Sequence, residues 1–345
     1  MNNDFINHLL KEFHLPLHNP ILVFSTILLI ILLSPVLLRK LKIPGIIGLI
    51  VSGTIIGPHG FNVLEKTSAI ELFSTIGLLY IMFIAGLELD MDDFKKNKNK
   101  SLIFGLLTFI IPISIGLPVC YYILGYALNT SVLTASMFAT HTLIAYPIIS
   151  KFGITKNESV AVAVGATILT DTAVLIILAI IVGSEKGNLN TEFWIRLISS
   201  LTIFMGIMFF IIPRVAKWFF KKLESEKHAH YIFVLSVVFF AAFLAEVAGV
   251  EPIIGAFLAG LALNKVIPHN SVLMNRVVFI GNTLFIPFFL ISAGMLVDLR
   301  LFFSGSGALI FAGILSGVAL LTKYFAAQVT GWIYKFSKTE TNIIF

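Results

Sequence analysis

The sequence predicts an all-α membrane protein of about eleven transmembrane helices with inverted-topology repeats, and three observations predict it. First, of 345 residues, 58% are hydrophobic and only 12% charged, and the mean hydropathy is +0.98. A soluble globular domain carries roughly 25% charged residues, so most of this chain belongs in lipid. Second, apolar runs of membrane-spanning length recur along the chain, and the basic residues gather in alternate gaps between them. Third, one pair of runs is echoed near the C-terminal end.

The elements follow in order. Phe5, Leu9, Leu10 and Phe13 share one helical face, so the N-terminal segment 1–18 is expected to lie along the membrane surface. Asp4, Lys11 and Glu12 interrupt it, so no cleavable signal is expected. Spanning helices are predicted near 19–38, 44–58, 68–88, 101–126, 131–149, 157–183, 192–220, 229–248, 251–264, 273–297 and 305–334. Two of them, 44–58 and 251–264, are short, and 131–149 is rich in Thr and Ser and ends near Pro147. With the N-terminus outside, 18 of the 24 Lys and Arg fall in cytoplasmic gaps and 5 outside, leaving Lys323 within 305–334. That bias predicts a multi-pass cell-membrane protein with a cytoplasmic C-terminus. The net charge of +6 is therefore a topology signal, and no nucleic-acid partner is expected. Cys120 is the only cysteine, which excludes a disulfide framework and a cysteine metal site.

The repeat is specific. Residues 46–53 read IIGLIVSG and 253–260 read IIGAFLAG, an offset of 207. Residues 85–94 read AGLELDMDDF and 293–302 read AGMLVDLRLF, an offset of 208. The alternative is generic Gly packing between helices. The copies stand seven helices apart, and an odd separation inverts the topology, as in secondary transporters whose sites lie near the midplane. Extended further, the repeat places a counterpart of 131–149 near residue 339 and one of Asp171 near 379, so two final helices are expected to be missing from this chain.

Asp171 lies mid-run in GATILTDTAVLIILAI. A central Asp costs roughly 2.5–3.5 kcal/mol on insertion scales, which makes it a functional candidate; the alternative is an Asp hydrogen-bonded for packing. Thr170 and Thr172 flank it with oxygen ligands. Desolvation favours a carboxylate's protonated form and a nearby cation favours its charged form. One carboxylate can thus hold a proton or a monovalent cation by turns, which is the simplest coupling for exchange. Lys323 is expected to pair with Asp171 when no cation is bound or to carry a proton; the alternative is a lysine snorkelling to the interface. Within 131–149, Thr134, Ser136, Thr140, His141, Thr142, Tyr146 and Pro147 suit a broken helix whose freed carbonyls can coordinate a cation. His141 is either pH-sensitive or a packing residue. Glu88, Asp90, Asp92 and Asp93 form a solvated helix end or an ion-concentrating mouth, and Glu246 and Glu251 read as interfacial. No nucleophile, metal cluster or cofactor motif stands out, so neither an enzyme nor a cofactor is expected.

IPGIIGLIVSGTIIGPHGF at 43–61, GLLYIMFIAGLELD at 77–90 and ATILTDTAVLIILA at 166–179 resemble the monovalent cation:proton antiporters of the Kef-like and NapA-like branch. AFLAGLALN at 256–264 and FFLISAGMLVDL at 288–299 add to the likeness, which runs from about residue 20 onward. The resemblance implies thirteen helices in the complete fold, a homodimer, and a core domain that carries the ion past a dimerising panel. It implies a panel of helices 19–88 and 229–297, a core of 101–183 and 305–334, and a linker at 192–220. It matches Asp171 to the ion-binding aspartate, Lys323 to the core lysine, and Thr140 to Thr142 to the unwound crossing helix. Many members carry a second polar residue such as Asp or Asn before that aspartate, where this chain has Thr170. The implied activity is Na+/H+ exchange. The alternatives are K+/H+ exchange, Kef-like K+ efflux, and a non-transporting membrane scaffold or sensor.

Overall fold

The computed structural model describes residues 13–39, 44–89, 96–140, 149, 153–154, 157–185, 191–224, 226–268, 271–302 and 306–345, all as helix, turn or loop. The helices are α1 (Pro20–Arg39), α2 (Gly45–Ile56), α3 (Ser68–Glu88), α4 (Lys98–Pro118), α5 (Leu128–Ala139), α6 (Glu158–Glu185) and α7 (Thr191–Gly206). They continue with α8 (Ile212–Lys222), α9 (Lys227–Ala248), α10 (Pro252–Asn264), α11 (Val272–Ile280), α12 (Ile286–Met295), α13 (Ser306–Tyr334) and α14 (Lys338–Ile344). Among the described residues, eight helices are long and apolar enough to cross a membrane, while α2 and α10 are apolar but shorter.

Each predicted run carries helix, but three are interrupted. The run 101–126 ends in a π-helical turn at Val119–Ile123. The runs 192–220 and 273–297 contain π-helical turns at Ile207–Ile211 and Gly281–Phe285, each followed by a proline at the next helix start, Pro213 and Pro287. Proline brings no N–H to the carbonyl four residues back, which is Phe209 in one case and Thr283 in the other. Both carbonyls lie inside the π turns, whose wide closure runs from the Ile212 N–H to the Ile207 carbonyl and from the Ile286 N–H to the Gly281 carbonyl. In the run 131–149, α5 ends at Ala139, and residues 141–148 lie outside the described residues. α14 begins at Lys338, close to the start near 339 that the repeat predicts.

The chain forms two compact units. The first joins Met1–Tyr80 with Val277–Leu309. In it Phe24, Phe73 and the buried Phe288 cluster, with ring centroids 4.9 to 5.9 Å apart. Here α2 meets α12 closely: a Cβ on Gly53 would stand 2.0 Å from the Ile291 carbonyl oxygen and 3.1 Å from the Gly294 Cα. The second unit joins Ile81–Arg276 with Ile310–Phe345. Here α10 meets α3, and a Cβ on Gly260 would stand 2.4 Å from the Phe83 carbonyl oxygen and 2.9 Å from the Gly86 Cα. Gly260 lies 207 positions after Gly53, and Ile291 and Gly294 lie 208 after Phe83 and Gly86. Each short helix therefore packs on the long helix of the other repeat, through equivalent positions.

In the second unit, Phe104, Val162, Ala166, Ala326, Ala327 and Ile344 form a buried cluster that ties α4, α6, α13 and α14 together. At its edge the Lys100 ammonium pairs with Glu158 and lies 5.6 Å from the Tyr334 ring and 5.3 Å from the Phe336 ring. Ser337 and Glu340 close a capping box at the start of α14. The N–H and hydroxyl of Ser337 hold the Glu340 carboxyl below the usual carboxylate range.

Candidate functional site

Three elements of the second unit frame the candidate site: the end of α5, the middle of α6 and the middle of α13. α5 stops because Thr140 turns extended, at φ −72° and ψ 145°. The last carbonyls of a helix have no partner within it and carry the negative end of its dipole. Lys323, half-buried on α13, answers both needs, for its ammonium donates a hydrogen bond to the Thr140 carbonyl. The Thr140 hydroxyl donates to the Met137 carbonyl at 3.0 Å, which fixes the local bend. The helix therefore ends at Ala139 with Lys323 on the Thr140 carbonyl, and residues 141–148, where the run was expected to continue, lie outside the described residues.

Asp171 is half-buried on α6. Thr170 beside it is 1% exposed, and its hydroxyl donates to the Thr167 carbonyl at 3.0 Å. With that proton committed to the helix, the Thr170 oxygen keeps its lone pairs as an acceptor. The expected ion pair between Lys323 and Asp171 is absent: no ammonium–carboxylate distance between them falls within 4.0 Å. The carbonyl end of α5 holds the ammonium instead, while Asp171 and Lys323 still act on one another electrostatically. Glu251, exposed at the start of α10, also acts on Asp171. The interfacial reading of Glu251 missed this, since electrostatic reach across helices leaves no local mark in sequence. His141 and Thr142 lie outside the described residues, as do Asp90, Asp92 and Asp93.

Asn264 is a buried polar residue to which the sequence reading assigned no role. Its side-chain amide donates to the carbonyls of Leu87 at 2.7 Å and Leu89 at 2.9 Å, satisfying the end of α3 from the end of α10. A polar residue closing the apolar run AFLAGLALN was its signal.

The description "Sodium/hydrogen exchanger, transmembrane" matches residues 27–345. The chain belongs to the sodium/hydrogen exchanger family. The family is one of secondary transporters, which move ions without a cofactor or bond chemistry. A Synechocystis protein named Na(+)/H(+) antiporter NhaS5 is 39% identical over 91% of this chain, and the chain spans 45% of that relative's length. A Methanocaldococcus jannaschii protein named Probable Na(+)/H(+) antiporter 3 is 32% identical over 90% of this chain and 81% of its own length. In fold, the chain is similar to the solved sodium proton antiporter MjNhaP1 from the same archaeon, with a TM-score of 0.69 at 17% identity, over 94% of this chain and 81% of that one.

Removing the Lys323 donor tests the site's architecture. Lys323→Ala leaves the Thr140 carbonyl without its donor and is expected to cost about 1–3 kcal/mol of stability. Lys323→Gln is expected to recover part of that loss, because its amide still donates. Thermal unfolding of the full-length protein in detergent checks both. Wild-type melting in the Ala variant would show that the contact stabilises nothing.

Proposed function

We propose that this chain exchanges Na+ for H+ across the cell membrane by alternating access, with Asp171 as the carrier. The observation that carries the reading is the end of α5, where Lys323 holds the Thr140 carbonyl while acting electrostatically on Asp171 of α6. A cation and an ammonium have the same use for a carbonyl oxygen. In the cation-free state Lys323 occupies the Thr140 oxygen and Asp171 takes a proton. In the loaded state a dehydrated cation takes the Asp171 carboxylate, with Thr140 and Thr170 as oxygen ligands, and Lys323 withdraws. Thr142 supplies a further oxygen and His141 a pH-sensitive group in this scheme. Glu251 adds negative potential around Asp171 and favours cation entry.

The rest of the reading follows family resemblance and the Lys/Arg bias. The N-terminus lies outside and the C-terminus in the cytoplasm. Two copies form a homodimer through the panel of helices 19–88 and 229–297. The core of 101–183 and 305–334 moves the ion, with 192–220 linking the two.

Proteoliposomes holding the full-length protein and a pH-sensitive dye test the exchange. Added Na+ is expected to move protons, with a smaller response to K+. A K+ response that matches or exceeds the Na+ response would replace sodium with potassium in this scheme. No proton movement with either cation would overturn exchange altogether.

A further inference from the structure

We propose that the exposed basic face of α8 binds the headgroups of anionic phospholipids, with the cytoplasmic leaflet as the source that the topology above implies. α8 buries Ile212 and Ala216 on one side. At 3.6 residues per turn, Arg214, Lys217, Trp218, Lys221 and Lys222 fall on the opposite side, within an arc of about 140°. All five are exposed. Among the described residues, none of the four basic groups has a carboxylate within 4.0 Å, although Glu224 and Glu226 stand in the adjoining turn.

Three features favour a lipid over a soluble anion. The face continues directly from exposed Phe209, Phe210 and Ile211, which are side chains for the hydrocarbon region. Trp218 is 60% exposed, with the Lys222 ammonium 5.0 Å from its ring centre, and an indole beside cations suits the headgroup level. Arg214 reaches back to the Phe210 carbonyl at 2.6 Å and sits 5.8 Å from that ring, so its charge stands at the border between apolar and basic segments. The basic groups also spread along about 12 Å of helix, which fits a row of headgroups rather than one phosphate. The turn beyond is fixed by Phe219 stacked on Phe233 at 4.4 Å and by Phe220 against His230 at 4.7 Å.

The probe is phosphatidylglycerol against phosphatidylcholine, with the full-length protein in mixed nanodiscs and retained lipid counted by native mass spectrometry. Wild type is expected to enrich phosphatidylglycerol several-fold and to lose the enrichment in high salt. The triple variant Lys217→Gln, Lys221→Gln, Lys222→Gln is expected to lose it, and the same positions changed to Arg to keep it. Neutralising exposed Lys265 and Lys338 is expected to change nothing. Enrichment unchanged in the triple Gln variant, or lost equally in the Lys265 and Lys338 control, overturns the proposal. Enrichment that resists salt in wild type does so as well, and this arm needs no variant to fold. The readout is independent of ion exchange, so Asp171→Asn is expected to retain lipid normally.

Discussion

Asp171→Asn is expected to abolish cation-driven proton movement in proteoliposomes while leaving the fold intact or more stable. Asn has the size and shape of Asp but binds no proton in the physiological range and offers a cation only a neutral oxygen. If one carboxylate is the shared seat of proton and cation, exchange falls to the rate of empty liposomes. Stability should move the other way. A central Asp costs about 2.5–3.5 kcal/mol on insertion scales, and its neutral isostere relieves part of that. Asp171 makes no ion pair within 4.0 Å among the described residues, so the substitution breaks no bridge. The opposed signs separate this outcome from misfolding, which would lower exchange and melting temperature together. Exchange at the wild-type rate in a folded Asn variant would remove Asp171 from the mechanism.

The readable part of this molecule is the part written in side-chain chemistry. Apolar runs have to be helical in lipid because each backbone N–H and C=O needs an internal partner. Asp171 was visible for the same reason, since hydrocarbon makes an idle carboxylate expensive. The repeat was visible because its glycines sit where helices approach too closely for a Cβ. What stayed hidden was decided by the backbone. Lys323 chose a main-chain carbonyl over a carboxylate, and no residue type marks a carbonyl as free. The stop of α5 at Ala139 is likewise a backbone event at Thr140, which turns extended, and no residue type in the run marks that position. The π-helical turns at Ile207–Ile211 and Gly281–Phe285 could have been anticipated from Pro213 and Pro287, had the lost N–H been traced four residues back.

Gly53→Ala and Gly260→Ala should each destabilise the protein strongly and by similar amounts. Overpacking typically costs about 1–3 kcal/mol, and the upper end or beyond is expected when backbone is the obstacle. At Gly53 the new Cβ meets the Ile291 carbonyl oxygen at 2.0 Å and its carbon at 2.8 Å. At Gly260 it meets the Phe83 carbonyl oxygen at 2.4 Å. Neither obstacle can rotate away, so the helices must separate. Gly313→Ala and Gly317→Ala are the matched controls: both lie in α13 with nothing within 4 Å of a new Cβ, and a helical Gly→Ala change there should gain about 0.5–1 kcal/mol. Melting temperatures of the four variants in detergent therefore split into two that fall and two that hold or rise. Melting of Gly53→Ala in step with Gly313→Ala would mean that α2 and α12 are not in close contact in the protein. Equal losses at Gly53 and Gly260 carry a stronger meaning, because the two contacts lie in different units and share only their place in the repeat. The same penalty at both would mean that packing geometry itself keeps the two copies alike.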